Sequence, residues 1–379
     1  MPIPSTMRAW RKHKGNPAPV WEEVPVPSVP PTGLLVKLLA SGVCHSDQAL
    51  IDIEDRPHFD DVYTLGHEGC GEIIEIGAEI TSQQFVIGTH VALLAVPGCG
   101  LSACSECARN LPQLCPNGAH YGIGQDGFFA EFVAVDQRAA VILPDGRQPL
   151  HVVHSIESQN RRVKAIYCTH PEYCVPPEIG AVATDAVLTA YHGIVRRAQV
   201  QSNETVFLFG LGGLGFNALQ IVLKHIKARV IVSDVRREKL LAARELGVPE
   251  SDIVPVDTSV SIPDFIASRG ITIDTVLEFV GRTQTFSDAQ KIVRPGGKVL
   301  CIGTGDRVND LDMKNGIRKR LSFLFNYGGQ KPDLEEVLTL IEKGVLRPRV
   351  QTGSLKDFPD YLRKLCAGEI EDRVALVPK

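Results

Sequence analysis

Short alternating apolar runs, separated by turns rich in glycine and proline, fill the first third of the chain. Alternation with a period of two is typical of strands that bury one face. Strands are predicted at 34–39, 71–76, 86–94, 127–135 and 139–143. The pattern therefore predicts a β-rich amino-terminal part.

From residue 176 onward, helix-period segments alternate with fully apolar runs. A helix is predicted over 177–194, because proline begins it and apolar residues recur on one face. Apolar strands that alternate with helices are typical of a parallel sheet covered on both faces. We predict one doubly wound α/β domain with strands at 205–209, 229–233, 253–256, 274–280 and 298–302 and helices at 237–246, 262–268 and 283–293, followed by a tail with a strand at 321–325 and a helix at 333–342.

Length and charge narrow the class of protein. A chain of 379 residues is too long for one ordinary core, so two domains are expected. The net charge of −4, without blocks of like charge, gives no reason to expect nucleic acid as a partner. No apolar run is long enough to span a bilayer, and the first residues lack the apolar core of a leader peptide. We therefore expect a cytoplasmic protein without a membrane partner.

Cys44 and His67 are candidate metal ligands. Thiolate and imidazole are ligand types that zinc prefers, and the hydroxyl of Ser46, two residues after the cysteine, can reach an open coordination position. On their own, a buried apolar cysteine and an ordinary hydrogen-bonded histidine remain the alternative.

Four of the ten cysteines lie close together in the sequence, between two turns. Four thiolates at short spacing can converge on a structural zinc with no open position. Free or disulfide-linked cysteines in a loop are the alternative. The residues are Cys99, Cys104, Cys107 and Cys115.

Residues 147–174 interrupt these patterns. The segment has neither helical nor strand periodicity and is rich in basic residues and histidine. Its histidines with Cys168 and Cys174 could suggest another metal site, but their spacing favours a solvated loop.

A glycine-rich turn follows the predicted strand at 205–209 and opens a helix. In this context it predicts a dinucleotide site, where Gly210 permits the tight turn, Gly212 the approach of the pyrophosphate and Gly215 close helix packing. Asp234, at the end of the next strand, would bind the ribose hydroxyls and favour NAD. Arg236 and Arg237 leave NADP as the alternative, and a Rossmann-like fold without a dinucleotide is a further one. The turn comprises Gly210, Leu211, Gly212, Gly213, Leu214 and Gly215.

Together these motifs resemble the zinc-dependent medium-chain dehydrogenase/reductase family, the alcohol dehydrogenases, over nearly the whole chain. The resemblance rests on 42–47, 66–68, the four cysteines, 126–132, the glycine turn with Asp234 and Lys239, 295–297 and 333–338. It implies a GroES-like catalytic domain at 1–186 that contains an unusual insert at 147–174, a Rossmann NAD-binding domain at 187–320, and a return to the catalytic domain at 321–379.

The resemblance also implies a third catalytic ligand. The family's second catalytic cysteine lies four residues before a threonine and six before a tyrosine, and this position is Asp185 here. The implied catalytic zinc set is Cys44, His67 and Asp185, which with the four-cysteine site gives two zinc ions per subunit. Carboxylate is an accepted zinc ligand, although loss of the zinc is the alternative.

Supporting roles follow from the resemblance as well. Ser46 would pass a proton from the substrate, Glu68 would lie beside the metal, and Asp47 would orient His67. Thr189 would contact the nicotinamide, and Lys239 would lie at the cofactor. The histidine that ends the relay in several members is Ala49 here, so His45 would serve the relay or the pyrophosphate.

Two departures from the family pattern stand out. Four residues separate Cys99 from Cys104 where the family generally has two. Joining Gly146 to Val175 would give an ordinary family sequence, which suggests that 147–174 is an insertion or an error of the gene model.

The expected activity is interconversion of an alcohol and an aldehyde or ketone with NAD, by a homodimer or homotetramer. The alternatives are an NADPH-dependent reductase of aldehydes or enals and a zinc-free nucleotide-binding protein without enzymatic activity.

Overall fold

The computed structural model describes residues 2–53, 59–144, 175–256 and 259–378. The strands are β1 Thr6–His13, β2 Val20–Pro25, β3 Gly33–Val43, β4 Val62–Thr64, β5 Glu68–Ile76, β6 His90–Leu93, β7 Phe132–Asp136, β8 Ala140–Ile142, β9 Thr205–Phe209, β10 Arg229–Ser233, β11 Ile273–Glu278, β12 Val293–Cys301, β13 Ser322–Phe325, β14 Val350–Ser354 and β15 Arg373–Val377. The α-helical segments are α1 His45–Asp52, α2 Ser105–Ala108, α3 Pro177–Val182, α4 Leu188–Tyr191, α5 Gly215–Gln220, α6 Arg237–Leu246, α7 Ile262–Ser268, α8 Thr283–Ile292, α9 Met313–Lys319, α10 Lys331–Glu342 and α11 Phe358–Cys366.

The amino-terminal part contains the predicted β-rich structure. Its larger sheet has the order β14-β15-β3-β5-β6-β8, with β7 also paired to β3. A smaller sheet, β2-β1-β4, was not predicted. The run predicted as a strand at 86–94 gives only β6, because Gly88 turns the chain with a φ of +91° and leaves Ile87 exposed.

The second part is a parallel sheet with the order β10-β9-β11-β12-β13, as expected of a doubly wound domain. The strand predicted at 253–256 is wrong in length, because only one bridge, between Ile253 and Val232, forms there. Pro255 has no N–H to continue the ladder. The strand predicted in the tail exists as β13 but pairs with β12, so the parallel sheet extends past residue 320.

One long helical segment connects the two sheets. It consists of α3, a π-helical turn at Ala183–Val187, α4 and a second π-helical turn at His192–Arg197, and so continues beyond the predicted end at 194. Its buried residues share one hydrophobic cluster with Ala40 and Cys70 of the first sheet and Val206 and Leu208 of the second. The helix is therefore held by both sheets.

The predicted insert at 147–174 lies outside the described residues, but the chain on both sides of the gap is well packed. Leu143 and Val175 are buried. Val175 donates its backbone N–H to the carbonyl oxygen of Pro144 at 2.7 Å. If Gly146 were joined to Val175, two residues would separate these hydrogen-bonded groups, as in a β-turn.

Deleting 147–174 should therefore leave a folded protein. The new sequence Pro-Asp-Gly-Val has turn-forming residues at its centre, and the closing hydrogen bond already exists. We expect the far-ultraviolet circular dichroism of the shortened chain to keep its shape and its melting temperature to stay within about 5 °C, which corresponds to roughly 3–4 kcal/mol for a chain of this size. Deleting 145–174, which removes the two turn residues, should lower the melting temperature clearly further. Equal melting temperatures for the two deletions would contradict this explanation.

Candidate active site and metal centres

Strand pairing brings the candidate site together from distant parts of the sequence. At the end of β3 that precedes Cys44, the strand pairs with β5 on one side and β15 on the other. His67 directly precedes β5, and Arg373 is the first residue of β15. All three side chains therefore meet at one end of the sheet.

Cys44 lies at the junction of β3 and α1. It is the residue that caps the amino terminus of α1, a helix that the sequence analysis missed. The positive end of a helix dipole favours a thiolate, the form of cysteine that binds metals.

Asp47 contacts both candidate ligands from a fully buried position. Its Oδ2 accepts a hydrogen bond from the backbone N–H of Cys44 at 2.9 Å. Its Oδ1 lies 3.0 Å from Nδ1 of His67. Histidine ligands of metals commonly have a carboxylate at the second ring nitrogen, which leaves the other nitrogen for the metal.

Four residues offer potential ligand atoms that all lie within 4.8 Å of one another: Cys44, His67, Glu68 and Asp185. Oδ2 of Asp185 is 3.5 Å from Sγ of Cys44 and 3.8 Å from Nε2 of His67. Around a tetrahedral zinc, the corresponding separations are about 3.6 Å for sulfur and oxygen and about 3.4 Å for nitrogen and oxygen. The donor set and its spacing fit a zinc ion.

The charges around His67 also favour a cation. Burial alone would lower the pKa of His67, but the carboxylates of Asp47 and Asp185 outweigh burial and raise the pKa well above its ordinary value. Burial alone would likewise raise the pKa of Asp185, but His67, Arg373 and the hydroxyl of Thr189 together hold the pKa below its usual range. The cluster thus stabilises positive charge at its centre.

Arg373 is a site residue that the sequence analysis missed. It is buried and contacts the buried carboxylate of Glu68 through Nη2 and Oε1. Burial raises the pKa of Glu68 to about 8, and the charge of Arg373 opposes that rise. Oε2 of Glu68 is buried and has no hydrogen-bond partner in the part of the chain that the structure describes.

A lone arginine at the start of the last apolar run was the only signal for Arg373 in the sequence. Its partner is 305 positions away. The close approach of the Glu68 side chain also explains Gly42, because a Cβ there would lie 2.0 Å from Oε2 of Glu68.

The four cysteines at 99–115 form a second candidate metal site. Their sulfur atoms lie within 4.8 Å of one another, with 3.7 Å between Cys99 and Cys107 and 3.6 Å between Cys104 and Cys115. Thiolates around a tetrahedral zinc are about 3.8 Å apart. A disulfide would need about 2.05 Å. The distances therefore fit a structural zinc, and the longer spacing between Cys99 and Cys104 is accommodated.

The glycine turn has the geometry expected of a dinucleotide site. Gly210 has a φ of +84°, and a Cβ at Gly215 would lie 1.9 Å from the carbonyl oxygen of Gly210. A Cβ at Gly212 would meet nothing within 4 Å, so its backbone is open to a ligand. Asp234 accepts hydrogen bonds from the backbone N–H of Leu211 at 2.6 Å and of Arg236 at 2.9 Å.

A pocket lies between the glycine turn and the last loop of the chain. Its lining includes Gly212, Gly213, Lys239 and Arg373. The ammonium of Lys239 contacts the carbonyl oxygen of Glu371, and burial lowers the pKa of this lysine. Basic groups beside a glycine turn fit a pyrophosphate.

The remaining predicted site residues occupy different positions around the metal cluster. Ser46 is exposed, and its Oγ lies 3.6 Å from Sγ of Cys44. His45 is exposed, and burial of part of its ring together with Arg373 lowers its pKa. Thr189 donates its hydroxyl to Oδ1 of Asp185 at 2.7 Å, a contact that the sequence did not suggest.

Two family models match parts of this chain. A family model described as "Alcohol dehydrogenase GroES-like domain" matches residues 30–145, and one described as "Zinc-binding dehydrogenase" matches residues 213–343. Among the described residues, none of the helices has the length and apolar character needed to cross a bilayer.

Individual relatives match over most of their length. An L-threonine 3-dehydrogenase of Rhizobium rhizogenes is 26% identical over 85% of this chain and 84% of its own. The structure of an acetophenone reductase from Geotrichum candidum in complex with NAD is 27% identical, with a TM-score of 0.81 over 100% of this chain and 98% of its own. An alcohol dehydrogenase of Aeropyrum pernix is 26% identical, with a TM-score of 0.80 over 98% of this chain and 100% of its own.

Proposed function

Because the chain belongs to the zinc-dependent medium-chain dehydrogenase/reductase family, we propose that it is an NAD-dependent zinc oxidoreductase that interconverts an alcohol and an aldehyde or ketone. Its relatives are dehydrogenases and a reductase, which supports an oxidoreductase acting on small molecules.

The observation that carries the proposal is the position of Arg373. One end of this side chain contacts Glu68 in the metal cluster, and its Cδ would lie 2.5 Å from a Cβ at Gly213 in the glycine turn. The side chain of Arg373 thus spans the space between the zinc-type ligand set and the dinucleotide turn. Hydride transfer requires such proximity, since the reacting carbon and the cofactor must be in contact.

When bound, zinc supplies a Lewis acid that lowers the pKa of the substrate hydroxyl, and NAD supplies the hydride acceptor. Cys44, His67 and Asp185 would hold the metal, and Asp47 would fix the ring of His67. Ser46 would accept the proton of the substrate hydroxyl and pass it to solvent, because the residue is exposed and its Oγ lies close to Cys44. Arg373 neutralises Glu68 beside the metal.

Metal analysis tests the ligand assignment. The wild-type protein should contain about two zinc ions per chain, and Asp185→Ala should contain about one, because the four-cysteine site is unaffected. Oxidation of a panel of alcohols with NAD should fall at least about 100-fold in kcat/KM in this variant, about 2.7 kcal/mol of transition-state stabilisation. Zinc is measured by atomic absorption and activity by NADH absorbance.

Asp185→Cys provides the matched control, because it replaces one zinc ligand by another. It should recover the second zinc. A wild-type protein that binds no zinc, or an Asp185→Ala variant that keeps two zinc ions and full activity, would refute the assignment.

We also propose that Asp234 sets the preference for NAD. Nε of Arg236 lies 3.6 Å from Oδ1 of Asp234, so the carboxylate both repels a 2′-phosphate and pairs with the arginine that could bind it. Asp234→Asn should raise the ratio of kcat/KM for NADP to that for NAD by at least about tenfold, or about 1.4 kcal/mol. The asparagine keeps one oxygen as an acceptor for one of the two neighbouring backbone N–H groups.

The double variant with Arg236→Ala serves as the control for Asp234→Asn. It should lose the gain for NADP, since the freed guanidinium is absent. An unchanged cofactor ratio in the single variant would count against the role of Asp234.

For the assembly, we propose a homodimer formed through the edge strand β13. Within the described residues no strand lies on its outer side, and Phe325, Ile317 and Val308 are each about 70% exposed. Exposed apolar edge strands pair readily with a second copy of the same strand.

Phe325→Asp should convert the dimer to a monomer in sedimentation velocity, because each interface would gain two buried charges without partners. Ile87→Asp, at an exposed apolar residue away from this edge, should remain dimeric. A wild-type chain that sediments as a monomer would exclude the proposal.

A further inference from the structure

The two carboxylate oxygens of Asp185 have different partners. Oδ2 faces the ligand cluster, 3.5 Å from Sγ of Cys44. Oδ1 turns away from it and accepts the hydroxyl hydrogen of Thr189 at 2.7 Å. The carboxylate is therefore held in one orientation by a group that is not itself within the ligand set.

This contact forms within one helical segment, between residues that are four positions apart. Asp185 lies in the π-helical turn Ala183–Val187, and Thr189 lies four residues later in α4. Residues four apart share one face of a helix, so the hydroxyl reaches back to the carboxylate. Thr189 is only 6% exposed, so little water competes for this hydrogen bond.

Thr189 is also fixed through its backbone. Asn326, directly after β13, donates Nδ2 to the carbonyl oxygen of Thr189 at 3.1 Å and to that of Gly328 at 3.1 Å. The threonine is thus tied to the edge of the parallel sheet while its side chain holds a residue of the metal cluster.

A threonine hydroxyl has one hydrogen to donate. In this contact the hydroxyl donates and Oδ1 of the carboxylate accepts, at 2.7 Å. A carboxylate can bind a metal through one oxygen or both, and a donor on Oδ1 leaves Oδ2 as the free ligand atom. It also restrains rotation of the carboxylate before any metal binds.

We propose that Thr189 is a positioning residue for the metal, whose hydroxyl holds Asp185 as a ligand that binds through one oxygen. The inference rests on the proposed function in one respect, the assignment of Asp185 as the third zinc ligand. It assigns Thr189 a role that does not require the nicotinamide, because the hydrogen bond exists within the protein alone.

The test measures zinc affinity without cofactor or substrate. Full-length protein is stripped of metal, and zinc is returned in competition with a fluorescent chelator. Thr189→Val removes the hydroxyl at nearly constant volume and should weaken binding at the catalytic site by about 10-fold or more, the effect typical of losing a group that orients a metal ligand. Thr189→Ser keeps the hydroxyl and should stay within about threefold of the wild type.

Thr184→Val is the matched control on the same helix. Thr184 has the same 6% exposure and donates its hydroxyl to the carbonyl oxygen of Ala181 at 2.7 Å, away from the metal cluster. Its replacement should leave zinc affinity unchanged. Zinc bound at the four-cysteine site serves as an internal reference in every variant.

The outcomes separate this inference from the proposed function. If Asp185→Ala loses one zinc but Thr189→Val binds zinc as tightly as Thr184→Val does, the positioning role of Thr189 is overturned while the ligand assignment stands. If Asp185→Ala still binds two zinc ions, the assignment itself fails. Should Thr189→Val not fold, Thr189→Ala, which avoids a new branched side chain, is measured against the same expectation.

Discussion

One buried carboxylate, that of Asp47, is the constraint on which the site depends. It fixes the backbone of Cys44 through one oxygen and faces the ring of His67 with the other. A buried carboxylate is costly unless both oxygens have partners, so this arrangement leaves it few alternative positions. Asp47 can do this because α1 places it one helical turn after Cys44, and because β3 and β5 pair next to each other. The distance between the two candidate ligands, Cys44 and His67, is therefore set by the register in which β3 and β5 pair.

The second requirement of the site is that its buried carboxylates have positive charge nearby. Glu68 and Asp185 lie beside the thiol of Cys44, and the buried guanidinium of Arg373 pairs with Glu68 and feels the charge of Asp185. Burial of ions without compensation costs several kcal/mol each. Arg373 offsets Glu68, but the cluster of Cys44, His67 and Asp185 still favours a cation between its atoms. A divalent metal would satisfy both the spacing and the charge.

Local features could be predicted from the sequence and long-range ones could not. The strands at 205–209 and 229–233 and the helices at 237–246 and 262–268 have the bounds that periodicity gave them, because the strands are apolar runs and the helices are amphipathic segments. The contact between Arg373 and Glu68 joins residues 305 positions apart and depends on two strand pairings. The strand at 253–256 was overpredicted because apolar composition was weighted above the missing N–H of Pro255. Asp185 came from a family resemblance, since a single aspartate in an apolar helix has no ligand spacing of its own.

The π-helical turn around Asp185 links the local structure of one helix to the long-range contacts of the site. Periodicity predicts a helix at this place but cannot distinguish a π-helical turn from an α-helical one, because both bury one face of the same segment. The distinction matters, since this segment packs on both sheets and carries Asp185 toward the ligands contributed by the first sheet. Asn326 and Thr189 then connect that residue to the edge of the second sheet. A shift of one sheet against the other would therefore move Asp185 relative to the other two candidate metal ligands, Cys44 and His67. Rigid packing of this single helix against both sheets is what allows a site built from two sheets to keep a fixed geometry.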